Sequence, residues 1–82
     1  MDKLNKKIKV YSTPDCAYCW TLKGLLKKYD IEFEEVDVFS NQEAKEEMIK
    51  MSGQKEAPVL EVGGQIIVGF DKKKILEALG IN

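Results

Sequence analysis

The 82-residue chain contains no histidine and no arginine. Without an imidazole there is no Cys-His or Ser-His catalytic pair, and no zinc site that needs a histidine ligand. Cysteine is scarce: Cys16 and Cys19 are the whole supply, and Pro14 and Pro58 are the only prolines. Net charge is nearly absent. Thirteen lysines against 14 carboxylates leave −1, which excludes a strongly basic nucleic-acid binder working through bulk electrostatics. Long apolar runs are missing as well. No stretch approaches the ~18 residues of a membrane-spanning helix, so no membrane partner is expected. The opening Met1-Asp2-Lys3-Leu4-Asn5-Lys6-Lys7 carries charge with no apolar stretch after it. No signal peptide is therefore expected, and the expected setting is cytoplasmic.

What is present suits a small globule. The hydrophobic fraction is 44% and the charged fraction 33%, compatible with one domain over residues 1–82 and a thin core. The two cysteines form a Cys-x-x-Cys pair. A disulfide closing so short a loop restricts the unfolded chain very little, so stabilisation is a poor reason for it. In a reducing compartment such a pair points to redox or metal chemistry. Two thiolates supply only half of a tetrahedral zinc site. A zinc or iron–sulfur site would need two chains or added thiols.

Ile8-Lys9-Val10-Tyr11-Ser12 alternates apolar and polar residues and predicts a strand. Ser12-Thr13-Pro14-Asp15 predicts a turn, because Pro14 removes a backbone donor. Leu22, Leu25, Leu26 and Tyr29 recur at helical spacing, predicting a helix from about Ala17 to Tyr29. Phe33, Val36 and Val38 mark a second strand. Asn41 can cap a second helix with Ala44, Met48 and Met51 inward and Ser52-Gly53 at its end. Pro58 opens a third strand, Val59–Val62. Gly63-Gly64 signals a hairpin into Gln65–Val68. A last helix carries Ile75, Leu76 and Leu79 and stops at Gly80. The order β-α-β-α-β-β-α predicts an α/β fold: a mixed four-stranded sheet with helices on both faces. Its first two strands should be parallel and its last two an antiparallel hairpin.

This order, with Cys-x-x-Cys after the first strand, resembles the thioredoxin superfamily, and within it the glutaredoxin family. Three segments carry the resemblance. Val10-Tyr11-Ser12-Thr13-Pro14-Asp15-Cys16-Ala17-Tyr18-Cys19 is similar to the family's active-site loop. Ser52-Gly53-Gln54-Lys55-Glu56-Ala57-Pro58-Val59 is similar to its cis-proline loop, and Val68-Gly69-Phe70-Asp71 stands in place of its Gly-Gly-x-Asp turn. The Gly-Phe variant also resembles the NrdH-redoxin branch, whose members take electrons from thioredoxin reductase.

The resemblance implies a thioredoxin-fold thiol-disulfide oxidoreductase acting on protein or glutathione mixed disulfides. The implied donor is glutathione as co-substrate, or thioredoxin reductase, with no bound cofactor and a monomeric chain. A metal or [2Fe–2S] carrier using the same cysteines is the alternative. Cys16 is expected at a helix N-cap. There the backbone N–H groups of Tyr18 and Cys19 and the helix dipole favour the anion. Cys16 is then the exposed nucleophile with a lowered pKa, and Cys19, one turn in, the resolving thiol. Asp15 opposes that anion, and Lys23 is expected to offset it from the same helical face. Tyr18 is expected at the mouth of the site, and Trp20 in partial core or against a partner. A cis Pro58 would turn the Ala57 backbone toward an extended disulfide substrate. Gly69, Phe70 and Asp71 would receive the γ-glutamyl end of glutathione, with Lys55 and Lys72-Lys73-Lys74 drawing its carboxylates. Asp71 reads equally well as a helix N-cap. Thr13, Glu56 and Phe70 depart from the family's glutathione pattern. Phe70 suits an apolar docking patch, and Ala17, in place of the family's proline, loosens the first helical turn.

Overall fold

A computed structural model describes residues 7–81. The opening segment on which the signal-peptide expectation rests lies, apart from Lys7, outside the described residues. The elements are β1 (Ile8–Ser12), α1 (Ala17–Lys28), β2 (Glu34–Asp37), α2 (Gln42–Ser52), β3 (Val59–Val62), β4 (Gln65–Val68) and α3 (Lys72–Leu79). They form one four-stranded sheet in the order β2-β1-β3-β4. β1 and β2 run parallel, Val10 opposite Glu35, with α1 as the crossover. β1 and β3 are antiparallel, Tyr11 opposite Val59, and β3 and β4 form the hairpin. This is the thioredoxin-type sheet that the element order predicts.

Alternation along the strands sorts side chains onto two faces. Ile8, Val10, Leu60, Val62 and Ile67 meet Leu22, Leu25 and Leu26 of α1 and Ile75, Ala78 and Leu79 of α3. On the opposite face Tyr11 and Val59 meet Ala44 and Met48 of α2, with Val38 beside them. Burying each Val, Leu, Ile or Met side chain among these contributes about 1.5–3 kcal/mol, so both faces hold the sheet between layers.

Local signals set the element ends. Asn41 Oδ1 accepts from the Ala44 N–H at 3.1 Å, capping α2. Gly63 and Gly64 take φ values of 54° and 93°, the paired positive angles that a two-residue hairpin needs and that side-chain-bearing residues resist. Several expectations shift in detail. α1 ends at Lys28 and Tyr29 becomes its cap residue. The β2 ladder covers only Glu34–Asp37, so Phe33 and Val38 pack from just outside it. Met51 and Leu76 are half-buried rather than central, and Ala78 takes a core place that its small side chain did not advertise. Trp20 is 69% exposed, which removes its partial-core reading. At 3.6 residues per turn it falls on the side of α1 away from the buried Leu22, Leu25 and Leu26, and its ring faces the Lys23 ammonium at 5.4 Å.

Candidate functional site

The carboxyl ends of the two parallel strands place their loops together, where open α/β sheets present ligands. After β1 the chain turns through Pro14-Asp15, and Cys16 takes the N-cap position of α1 with extended backbone angles of −117° and 105°. Its Sγ accepts the Cys19 N–H at 3.0 Å. That is one of the two amide contacts expected from an N-cap; the Tyr18 amide makes none to this sulfur among the described residues. The Cys16 and Cys19 sulfurs stand at disulfide separation, with Cα atoms 5.1 Å apart. The pair is asymmetric. Cys16 is partly exposed, whereas Cys19 has 0% exposure beneath it.

Cys16, Tyr18, Lys55 and Ala57 line one open cleft of ≈ 520 Å³, together with Thr13, Asp15 and Glu56. The Ala57–Pro58 peptide bond is cis, as the resemblance implied, and Pro58 itself is buried. The Gly69 N–H donates to the Pro58 carbonyl at 2.9 Å, tying the proline loop to the turn after β4. Gly69 has φ 74°, a left-handed angle suited to glycine. The next residue, Phe70, is half-buried against the α1–α3 core, and its ring lies 6.5 Å from that of Tyr18, nearly parallel at 10°. Tyr18 is 65% exposed, at the mouth as expected. Asp71 caps α3, its Oδ1 accepting the Lys74 N–H at 3.2 Å. Its Oδ2 makes no hydrogen bond among the described residues. Gly69, Phe70 and Asp71 thus adjoin the cleft through Pro58 and Tyr18 without lining it. Lys72, Lys73 and Lys74 are exposed along the first turn of α3 and also stay outside its lining.

The expectation for Lys23 is corrected. Its ammonium does not answer Asp15; it pairs with Glu35 Oε2 at 2.6 Å. The same oxygen accepts the Ser12 hydroxyl at 2.9 Å. The Lys23 bond first, and the Ser12 bond second, hold the Glu35 carboxyl below the usual carboxylate range. Parallel pairing of β1 with β2 brings Glu35 to the α1 side, where it captures the lysine.

Sequence reasoning missed four lining residues: Val38, read only as a strand residue, and Phe39, Gln42 and Lys45. Phe39 follows β2, and its N–H donates to Asp37 Oδ1 at 2.8 Å. Ser40 Oγ donates to Asp37 Oδ2 at 3.0 Å. These bonds, the Phe39 amide first, hold the Asp37 carboxyl below its ordinary value. The available signal was an aromatic residue just past the carboxyl end of a parallel strand, between Val38 and Ser40. Among the described residues, no group of three or more His, Cys, Asp or Glu side chains is disposed to hold a metal ion. No described helix is long and apolar enough to cross a membrane.

A thioredoxin-type sheet with a vicinal cysteine pair at a helix start and a cis-proline loop across from it defines a dithiol–disulfide protein of the thioredoxin fold. Comparison with known proteins gives the family. The glutaredoxin family model matches residues 8–67, stopping just short of the Val68–Asp71 turn. An uncharacterised glutaredoxin-like 8.6 kDa protein in the rubredoxin operon of Clostridium pasteurianum is 44% identical over 83% of this chain and 91% of its own. Glutaredoxin 3 of Escherichia coli K12 is 34% identical over 89% of this chain and 88% of its own. The crystal structure of Methanosarcina acetivorans methanoredoxin superposes with a TM-score of 0.83 at 30% identity, over 92% of this chain and 85% of that one. The chain belongs to the glutaredoxin family, and its Cys16–Cys19 pair makes it a thiol oxidoreductase of that family.

Proposed function

We propose that the protein reduces disulfides in polypeptides or in glutathione mixed disulfides through a two-step dithiol exchange, in a reducing cytosol. The observation that carries this is the unequal exposure of two sulfurs at bonding separation: one opens on the cleft and the other is sealed under it. In the reduced protein the Cys16 thiolate is stabilised by the Cys19 N–H and by the positive end of α1. It attacks one sulfur of the substrate disulfide. The other substrate sulfur leaves as a thiolate and takes a proton, and a mixed disulfide remains on Cys16. Cys19 then loses its proton and attacks Cys16 Sγ, expelling the second substrate thiolate. Two electrons pass to the substrate, and the Cys16–Cys19 disulfide is left.

Ala57 lines the same cleft as Cys16, and in this reading its backbone pairs with an extended segment of the substrate. Tyr18 shields the approach. In this reading Asp71 Oδ2 meets the ammonium of glutathione while Oδ1 caps α3, and Lys55, which lines the cleft, meets a carboxylate. Glutathione is the co-substrate assigned to reset the dithiol, with thioredoxin reductase as the competing donor. The test offers the oxidised protein either glutathione with glutathione reductase or thioredoxin reductase, each with NADPH, beside an insulin-disulfide substrate. NADPH consumption that depends on Cys16 and Cys19 is expected with at least one donor. No consumption with either would overturn the oxidoreductase reading in this form. An iron–sulfur absorption spectrum in anaerobically purified protein would then favour the carrier alternative.

A further inference from the structure

Phe39 is the most exposed large apolar side chain among the described residues, at 76%, and it lines the cleft into which Cys16 opens. Exposed aromatic rings are usually loosely held; this one rises from a fixed backbone. Val38 beside it is 3% exposed in the α2-side core, and its N–H donates to the Ser12 carbonyl at 2.9 Å. Both Asp37 carboxylate oxygens brace the turn, and Asn41 caps the helix that follows. The ring itself makes no ring–ring contact among the described residues, whereas Tyr18 is already stacked beside Phe70. Tyr18 and Phe39 thus give the cleft two aromatic walls. The charges lining it cancel: Lys45 and Lys55 stand against Asp15 and Glu56. Such a lining offers a small anionic disulfide no net attraction, and offers an apolar side chain a surface to cover.

We propose that Phe39 is a specificity-determining residue that selects polypeptide disulfides carrying an apolar side chain next to the half-cystine attacked by Cys16. This rests on the oxidoreductase reading above. The apolar side chain packs on the Phe39 ring while the neighbouring sulfur meets Cys16 Sγ. Exchange then proceeds with the electron balance already given, two electrons passing from the protein dithiol to the peptide disulfide. No further reactant enters.

The test is single-turnover reduction by pre-reduced protein, which needs no electron donor. Two cyclic peptides with one internal disulfide are compared, identical except for Leu or its isostere Asn beside the half-cystine. Reaction is stopped with acid and the peptide thiols are quantified by chromatography. The wild-type protein is expected to reduce the Leu peptide about fivefold faster than the Asn peptide, equivalent to ~1 kcal/mol. Phe39→Ala brings the ratio near one, and Phe39→Leu restores most of it. Trp20→Ala, which removes an aromatic ring of similar exposure outside the cleft lining, leaves the ratio as in wild type. A preserved ratio in Phe39→Ala, an equal loss in Trp20→Ala, or no preference in wild type would overturn the proposal alone. Failure of the wild-type protein to reduce either peptide would overturn the oxidoreductase reading with it. Phe39 lies outside the core, so the variants are expected to fold, and circular dichroism checks this.

Discussion

Tyr11 offers a sharp test of the packing that holds the cleft loops. Its side chain is fully buried between β1 and α2, with Val36 and Val59 as its register partners. Its hydroxyl has no hydrogen-bond partner among the described residues. A buried, unpaired hydroxyl costs about 1–3 kcal/mol relative to one left in water. Tyr11→Phe keeps the ring and removes that cost, so a gain of about 1 kcal/mol is expected, or roughly 4–8 °C in Tm for a domain of this size. The alkaline range sharpens the test. Burial first, and then the charges of Glu47, Glu61 and Glu34, push the Tyr11 phenol from 10.0 up to about 12. The folded value lies above the unfolded one, so the unfolded chain releases this proton first. Tyr11's share of stability is intact below pH 10.0 and is lost as pH rises to about 12. That loss amounts to roughly 3 kcal/mol. The assay is urea denaturation of the oxidised protein, wild type against Tyr11→Phe, at neutral pH and across that alkaline interval. Lysine titration is common to both proteins and cancels in the difference. The stability gap should favour the variant at neutral pH and widen on the alkaline side. A variant less stable by about 1 kcal/mol at neutral pH would mean that the hydroxyl holds a partner of ordinary net value. A constant gap would refute the raised phenol.

Two further outcomes follow from the charged groups around the site. Glu35 is held low by Lys23 and Ser12, so its stabilisation is present above its unfolded value and disappears as pH falls through the folded one. Its side chain is 46% exposed, which limits the effect to at most about 1 kcal/mol. Glu35→Gln should flatten that part of the acid limb in urea melts. Asp71 separates capping from donor binding. Asp71→Asn keeps an N-cap acceptor and should leave stability within a few tenths of a kcal/mol, whereas Asp71→Ala should lose about 1 kcal/mol. Both should weaken glutathione-dependent turnover alike, read as a raised KM. Turnover unchanged in both would leave Asp71 with the cap alone.

The strands and helices were legible because each carries its own local signal. Alternation marks β1, the Leu22-Leu25-Leu26 stripe marks α1, and Gly63-Gly64 marks the hairpin, all without long-range information. The cysteine pair was legible for the same reason, being contiguous and placed at a strand-to-helix junction. Contacts that depend on strand register were not. Lys23 could be placed on the right helical face, yet its partner Glu35 lies 12 residues away across the parallel crossover. Phe39 reads in sequence as an apolar residue at the end of a strand. Only the meeting of the loops after β1 and β2 makes it a wall of the cleft. The Tyr11 hydroxyl was hidden in another way: alternation puts Tyr11 on the face opposite Ile8 and Val10, where α2 covers it, but does not tell whether its oxygen finds a partner there.

The division of labour between the two sulfurs is tested most directly by alkylating the reduced protein with iodoacetamide across pH and mapping the product by mass spectrometry. The thiol that opens on the cleft and caps α1 should react first, with a midpoint below the ~8.5 of a free cysteine. Cys19, sealed beneath, should resist until the fold is lost. Modification of Cys19 ahead of Cys16, or equal rates at both, would contradict the account.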